Sequence, residues 1–206
     1  MISKTIFILL LSGVISSNAL HAQEQLPVTI SAAIGYPVSF GSNLLENATS
    51  LFAIDVNAQF PVSGKISLGP SVRAGIYGDK VQFTDENGQV VRDDYYTSIL
   101  THWEVLSEYH INLAEKMKLQ LGLAAGYAAI KASNLYNYEP GKSPKGFDIA
   151  SGFTFQYLLS EHFALNTSAK YTFNSLYATT TTGGNSMEIN ESFNEIAFTL
   201  GAAYLF

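Results

Sequence analysis

The chain contains no cysteine, and charged side chains make up only 14% of its 206 residues. Without cysteine it cannot hold a disulfide scaffold, a cysteine-ligated zinc site, an iron–sulfur cluster or a thiol nucleophile. Its 11 basic residues are scattered and the net charge is −6, so a nucleic-acid partner has no electrostatic support. Hydrophobic residues account for 47%, which is too many for a disordered chain and enough for the core of one domain.

The N-terminal segment 1–22 shows the order of regions that is typical of a secretory signal peptide. Lys4 precedes an apolar run that starts at Ile6, and small or polar residues follow up to Ala22. The run is about half as long as the roughly 20 residues of a membrane-spanning helix, which makes an N-terminal anchor helix the weaker alternative. We therefore predict that residues 1–22 are removed on export, with cleavage after Ala19 as the weaker alternative, and that residues 23–206 form the folded domain.

After residue 22, apolar and polar residues alternate with a period of two. This is the spacing of a β-strand, in which successive side chains point to opposite faces. Eight segments show the pattern, at 28–36, 52–60, 66–76, 98–105, 117–127, 147–157, 163–173 and 195–206. One face of each segment is aliphatic or aromatic, and the other is rich in Gly, Ala, Ser, Asn and Gln with about one charge per strand.

The composition of the two faces indicates which of them meets water. A soluble barrel or sandwich would carry long charged side chains on its polar face, whereas small polar residues suit a confined lumen. The apolar face repeats aromatic residues near segment ends, as in the girdles at lipid headgroups. These are Tyr36, Tyr127, Phe147, Tyr157, Phe163, Tyr171 and Tyr204. Since strands can cross lipid only as a closed ring, the sequence predicts an all-β fold, an eight-stranded antiparallel up-and-down transmembrane β-barrel.

The connections between the segments alternate between long and short. The long ones are at 41–50, 78–94, 131–146 and 175–193, and the short ones at 61–64, 112–116 and 158–162. Long outer loops and short periplasmic turns are typical of such barrels. Segment 78–94 predicts a projecting β-hairpin. Tyr136 and Tyr138 in the next loop could stack on a glycan or a partner protein, or serve packing only.

The alternating segments, the signal peptide and the C-terminal residues 202–206 resemble small outer-membrane β-barrels of the OmpX and OmpA-barrel type. More particularly, they resemble the PorT-like barrel domains common in the Bacteroidetes. The resemblance covers residues 25–206 and implies the cell outer membrane, with its lipid and lipopolysaccharide, as the location. It also implies that the barrel-assembly machinery recognises the last strand, whose Tyr204 and Phe206 match the family's terminal pattern. Activity is left open by this resemblance.

Eight ionisable side chains are predicted to project into the lumen. They are Asp55, Arg73, His102, Glu104, Lys118, Asp148, Lys170 and Glu195. Side chains fill an eight-stranded barrel, so these charges, which nearly cancel, must pair or lose several kcal/mol each on desolvation. We interpret them as a structural salt-bridge plug, with a gated ion path or a catalytic group as alternatives. Replacing Lys118 or Lys170 by Ala is then expected to cost roughly 3 to 5 kcal/mol.

Catalytic and metal-binding patterns are incomplete in the sequence. His102 and Glu104, two apart on one face, could serve acid–base chemistry or bind a metal, but no third ligand is identifiable. His110 and His162 lie near turns without a convincing nucleophile. We therefore predict no catalytic residue, no metal and no cofactor. The expected function is structural support of the outer membrane or contact with a surface partner through the loops. The alternatives are a channel or transporter for small solutes and a membrane-embedded lipid-modifying enzyme.

Overall fold

The computed structural model describes residues 26–41, 45, 48–84, 90–132, 143–182 and 185–206, and its regular elements are β-strands. The strands are β1 (Thr29–Phe40), β2 (Thr49–Ser63), β3 (Ile66–Thr84), β4 (Val90–Ala114), β5 (Met117–Ala132), β6 (Lys145–Leu158), β7 (Phe163–Thr182) and β8 (Asn185–Leu205). In these ranges no helix is long and apolar enough to cross a membrane. The predicted signal peptide, 1–22, lies outside the described residues, so it stays a prediction.

The eight strands form one closed antiparallel ring in sequence order. Each strand pairs with the next along the chain, and β1 closes the ring by pairing with β8, from Thr29 opposite Leu205 to Phe40 opposite Asn194. A closed ring leaves no strand edge unpaired, so the backbone can sit in lipid without losing hydrogen bonds. Each predicted segment lies on its own strand, and the predicted barrel is confirmed.

Each of the eight strands presents a row of large apolar residues on the outer surface. Ile34, Trp103, Leu123 and Leu200 are between 60% and 68% exposed, and the seven predicted girdle aromatics are between 38% and 53% exposed. Within the eight segments predicted from the sequence, the outward positions carry no charged side chain. Such a surface is unfavourable in water, at roughly 25 cal/mol per Å² of apolar area, whereas hydrocarbon covers it without that cost. The ring therefore spans a membrane with its outer face in lipid.

The connections distinguish two ends of the barrel, which we call the turn end and the loop end. Short connections after β2, β4 and β6 define the turn end, as predicted. At the loop end, Thr84 of β3 pairs with Val90 of β4, which confirms the predicted hairpin. The predicted loop 175–193 is wrong, because β7 and β8 stay paired until Thr182 meets Asn185. This stretch is rich in threonine, which favours strands, but its alternation of apolar and polar residues is not sustained over a full segment.

The interior of the barrel has an apolar layer at its loop end. We call this layer the loop-end core, and it comprises Leu45, Tyr77, Leu100, Ala128, Ile130, Leu176 and Phe193. Leu45 belongs to the predicted first outer loop, and the other members come from β3, β4, β5, β7 and β8. Predicted loop residues Tyr136 and Tyr138 lie outside the described residues.

Candidate functional site in the lumen

Arg73 of β3 is at the centre of the interior and is 1% exposed. Its Nη2 atom lies 3.0 Å from Oε1 of Glu195 on β8, and it donates a hydrogen bond of 2.7 Å to Oγ1 of Thr172 on β7. The Tyr77 hydroxyl donates to the other oxygen of Glu195. Because β3 and β8 are not neighbours in the ring, the Arg73–Glu195 ion pair joins strands across the lumen.

Lys170 of β7 forms a second set of contacts across the lumen. Its Nζ atom lies 3.1 Å from Oε2 of Glu104 on β4 and 3.4 Å from Oδ2 of Asp55 on β2. The Lys170 side chain is 15% exposed, whereas the Glu104 side chain is fully buried. Lys170 therefore forms ion pairs with Asp55 and Glu104, whose strands lie on the opposite side of the ring.

His102 links two further carboxylates. Its Nδ1 atom lies 2.6 Å from Oδ2 of Asp148 on β6, and its Nε2 atom lies 3.9 Å from Oε1 of Glu195. His102 and Asp148 are both fully buried. Seven of the eight predicted lumen residues are thus brought together, and we call this group the lumen cluster. Its members are Asp55, Arg73, His102, Glu104, Asp148, Lys170 and Glu195.

Strand register explains how these residues meet. Arg73 lies opposite Asp55 on one side and opposite His102 on the other. Gly126 of β5 lies between Glu104 of β4 and Asp148 of β6. A Cβ atom at Gly126 would be 2.1 Å from the carbonyl oxygen of Trp103, so only glycine permits this close approach of β4 and β5. The missing side chain also leaves room between the two carboxylates.

Lys118 is the predicted lumen residue that lies outside the cluster. It precedes Gly126 by eight residues along β5, and it is paired in register with Asn112 and Gln156 near the turn end. The side chain is half-buried rather than buried. The sequence predicted that Lys118 lies on the inward face of its strand. An inward position alone does not show that a residue belongs to the lumen cluster.

Four polar residues of the interior were not among the lumen residues predicted from the sequence. Tyr77 and Glu108 lie just beyond the predicted ends of their segments, and continuing the alternation would have found both. Glu191 was placed in a loop, and Thr172 carries no charge that would single it out. Glu108 and Glu191 are 7% and 6% exposed, so the inward charges do not nearly cancel as expected. Six acids face Arg73, Lys118 and Lys170 in the described residues. The acids are Asp55, Glu104, Glu108, Asp148, Glu191 and Glu195.

The lumen contains a small, partly open cavity on the turn-end side of the cluster. Small and amide side chains line most of it, and its charged lining residues are Asp55, Glu108 and Lys170. The lumen cluster and the loop-end core both lie between this cavity and the loop end. Among the described residues, the interior therefore has a small cavity toward the turn end and is filled by side chains toward the loop end.

No family model and no curated protein sequence matches the chain. Among solved structures, it is similar to Neisserial surface protein A, with 13% identity over 87% of this chain and 96% of that chain and a TM-score of 0.52. OprG from Pseudomonas aeruginosa has 14% identity over 89% and 98% of the two chains and a TM-score of 0.49. Ail of Yersinia pestis has 15% identity over 89% and 99% and a TM-score of 0.47. The similarity to Neisserial surface protein A shows the fold of the chain.

The chain has the fold of a small eight-stranded outer-membrane β-barrel. The closed ring and the lipid-facing surface agree with that class, and the predicted resemblance to small outer-membrane barrels is confirmed at this level. The narrower likeness to the PorT-like domains stays a prediction, since no family model matches.

Proposed function

We propose that the protein works in the outer membrane as a closed, non-enzymatic barrel that conducts no solutes and contacts a surface partner through its loop end. Its surroundings would be outer-membrane lipid and lipopolysaccharide, and the barrel-assembly machinery would be its partner during insertion. The proposal is supported mainly by the filled loop-end half of the lumen. Side chains of the lumen cluster and, beyond them, of the loop-end core occupy it.

Closure rests on contacts that a passing ion would have to break. The Arg73–Glu195 and Lys170–Glu104 ion pairs cross the lumen between non-neighbouring strands. Separating a buried pair leaves charges without partners, at a cost of several kcal/mol. Next to these pairs, Leu100 and Phe193 of the loop-end core are at most 1% exposed. A hydrated ion has no favourable place in that apolar layer.

Two hairpins support a role in surface contact. Strand β4 has 25 residues and β7 has 20, whereas crossing a bilayer takes about 9 to 11. The β3–β4 and β7–β8 ladders therefore continue beyond the membrane at the loop end. Segment 78–94 has five acidic and two basic residues in its sequence. A partner with a basic surface would suit its charge.

Conductance of the purified protein in planar bilayers tests the closed barrel. We expect no steady current from the wild-type protein, whose insertion is verified by heat-modifiable mobility on gels. A variant with Arg73→Ser, Glu195→Ser and Phe193→Ser removes the central ion pair and part of the loop-end core, and should show whether the assay detects an opened lumen. Steady, solute-dependent wild-type currents would refute the proposal.

The second candidate function is a channel or transporter for small solutes. The polar cavity at the turn end is the observation in its favour, since it would be the vestibule of such a path. The same recordings decide between the two functions, because a channel must conduct without any substitution.

A further inference from the structure

Three buried side chains of the lumen cluster bring metal-ligand atoms together. His102, Glu104 and Asp148 each offer one such atom, and these atoms all lie within 4.8 Å of one another. Ligand distances of about 2.0 to 2.2 Å put two ligands of one Zn²⁺ ion about 3 to 4 Å apart. Small side-chain movements would therefore complete the set. We propose that the lumen cluster binds one divalent transition-metal cation through these three residues.

The same three residues carry unsatisfied polar atoms. Nε2 of His102, Oε1 of Glu104 and Oδ1 of Asp148 are buried and have no hydrogen-bond partner among the described residues. All three side chains are fully buried. A buried polar atom without a partner is unfavourable, and one cation would satisfy an atom from each residue.

The charge of the lumen cluster also favours a cation. Four carboxylates, of Asp55, Glu104, Asp148 and Glu195, face the cations of Arg73 and Lys170 only. With His102 neutral, the cluster has a net charge of −2, which is costly in a buried place. A divalent cation neutralises it. A cation with two positive charges therefore balances the cluster, whereas a monovalent cation would leave a net charge of −1.

The donor set indicates which cation fits. Carboxylates alone would suit Mg²⁺ or Ca²⁺, whereas an imidazole nitrogen beside two carboxylates suits Zn²⁺ and its neighbours in the transition series. Nδ1 of His102 and Oδ2 of Asp148 lie 2.6 Å apart, which is closer than two ligands of one ion, so binding would move these two side chains slightly apart.

The cavity at the turn end provides an entry path to the cluster. Asp55 and Lys170 line the cavity and also belong to the lumen cluster, and Lys170 contacts Glu104. A cation could therefore reach the ligands from the turn end without crossing the apolar loop-end core. This inference is independent of the proposed function, since a closed barrel could bind or lack the ion.

Metal content after chelation and reloading tests the inference. The full barrel is purified in detergent, treated with a chelator, incubated with Zn²⁺ alone and freed of excess ion by gel filtration. We expect one equivalent of zinc in the wild-type protein and at least tenfold weaker binding in Glu104→Gln and in Asp148→Asn. Glu108→Gln is the matched control, because it removes a buried carboxylate from the same face of β4 outside the ligand set. Its binding should be unchanged.

Two results would overturn the inference. One is a wild-type protein that retains no zinc, and the other is equal loss of zinc in Glu108→Gln. Should the ligand variants fail to fold on heat-modifiable gels, X-ray absorption of the zinc-loaded wild type decides. An imidazole nitrogen with carboxylate oxygens in the coordination shell supports the site, whereas a shell of oxygens alone contradicts it. Visible absorption of the Co²⁺-loaded protein gives a second spectroscopic check.

Discussion

Replacing Arg73 by methionine tests the structural importance of the lumen cluster. Methionine keeps most of the apolar stem and removes the guanidinium group. In the structure this group lies 3.0 Å from Glu195 and donates to Thr172. The substitution therefore leaves the Glu195 carboxylate buried, with the hydrogen bond from the Tyr77 hydroxyl but without its cation. It also makes the net charge of the cluster more negative by one.

The expected cost follows from burial. Both partners are 1% exposed, so water cannot replace the lost interaction. Breaking a buried ion pair by removing one partner typically lowers the free energy of unfolding by about 3 to 5 kcal/mol. Removing both charges, with Glu195→Gln added to Arg73→Met, should recover a large part of that loss, because no unpaired charge then remains buried.

Equilibrium unfolding by urea in detergent or lipid vesicles measures this cost, with the folded fraction read from heat-modifiable mobility. We expect the single variant to be the least stable and the double variant to lie between it and the wild type. A single variant within about 1 kcal/mol of the wild type would refute the reasoning. It would mean that the guanidinium group is hydrated or that other groups replace it.

Two further predictions concern other parts of the barrel. Lys170→Ala should lower the free energy of unfolding by roughly 3 kcal/mol because it leaves buried carboxylates unpaired. Lys118→Ala should cost less than about 1 kcal/mol, since water screens a half-buried charge near the turn end; equal costs in urea titrations would contradict this distinction. Deleting Phe206 should reduce barrel insertion, because Phe206 and Tyr204 form the predicted assembly signal. The rings of these two residues contact each other at a centroid distance of 4.7 Å. Unaltered heat-modifiable mobility of the newly made protein would count against that role.

Strand number and the direction of each side chain could be predicted because both depend on local pattern, and ring closure followed because strands can cross lipid only as a closed ring. Side chains alternate at every residue of a strand, so Arg73 and His102 could be assigned to the lumen from their neighbours alone. The alternation weakens where the outward positions become polar, as at Asn190 and Ser192, and this is why the strands near 175–193 were taken for a loop. The buried Glu191 was missed for the same reason.

The contacts within the lumen could not be predicted, because they depend on how far each strand is displaced along its neighbour. Whether Lys170 reaches Glu104, 66 residues away in sequence, is decided by the stagger summed around the ring. His102 and Asp148 are 46 residues apart and come from strands separated by β5. The candidate third metal ligand was therefore visible as an inward residue, but its position beside His102 and Glu104 was not.

The central claim is that hydrocarbon, not water or protein, covers the outer face of the barrel, and Trp103 tests it directly. It is the single tryptophan of the chain, lies on β4 and is 60% exposed. Its fluorescence should be strongly quenched in vesicles of lipids brominated on their acyl chains and hardly affected by aqueous acrylamide. Efficient quenching by acrylamide, without any effect of the brominated lipids, would contradict the account.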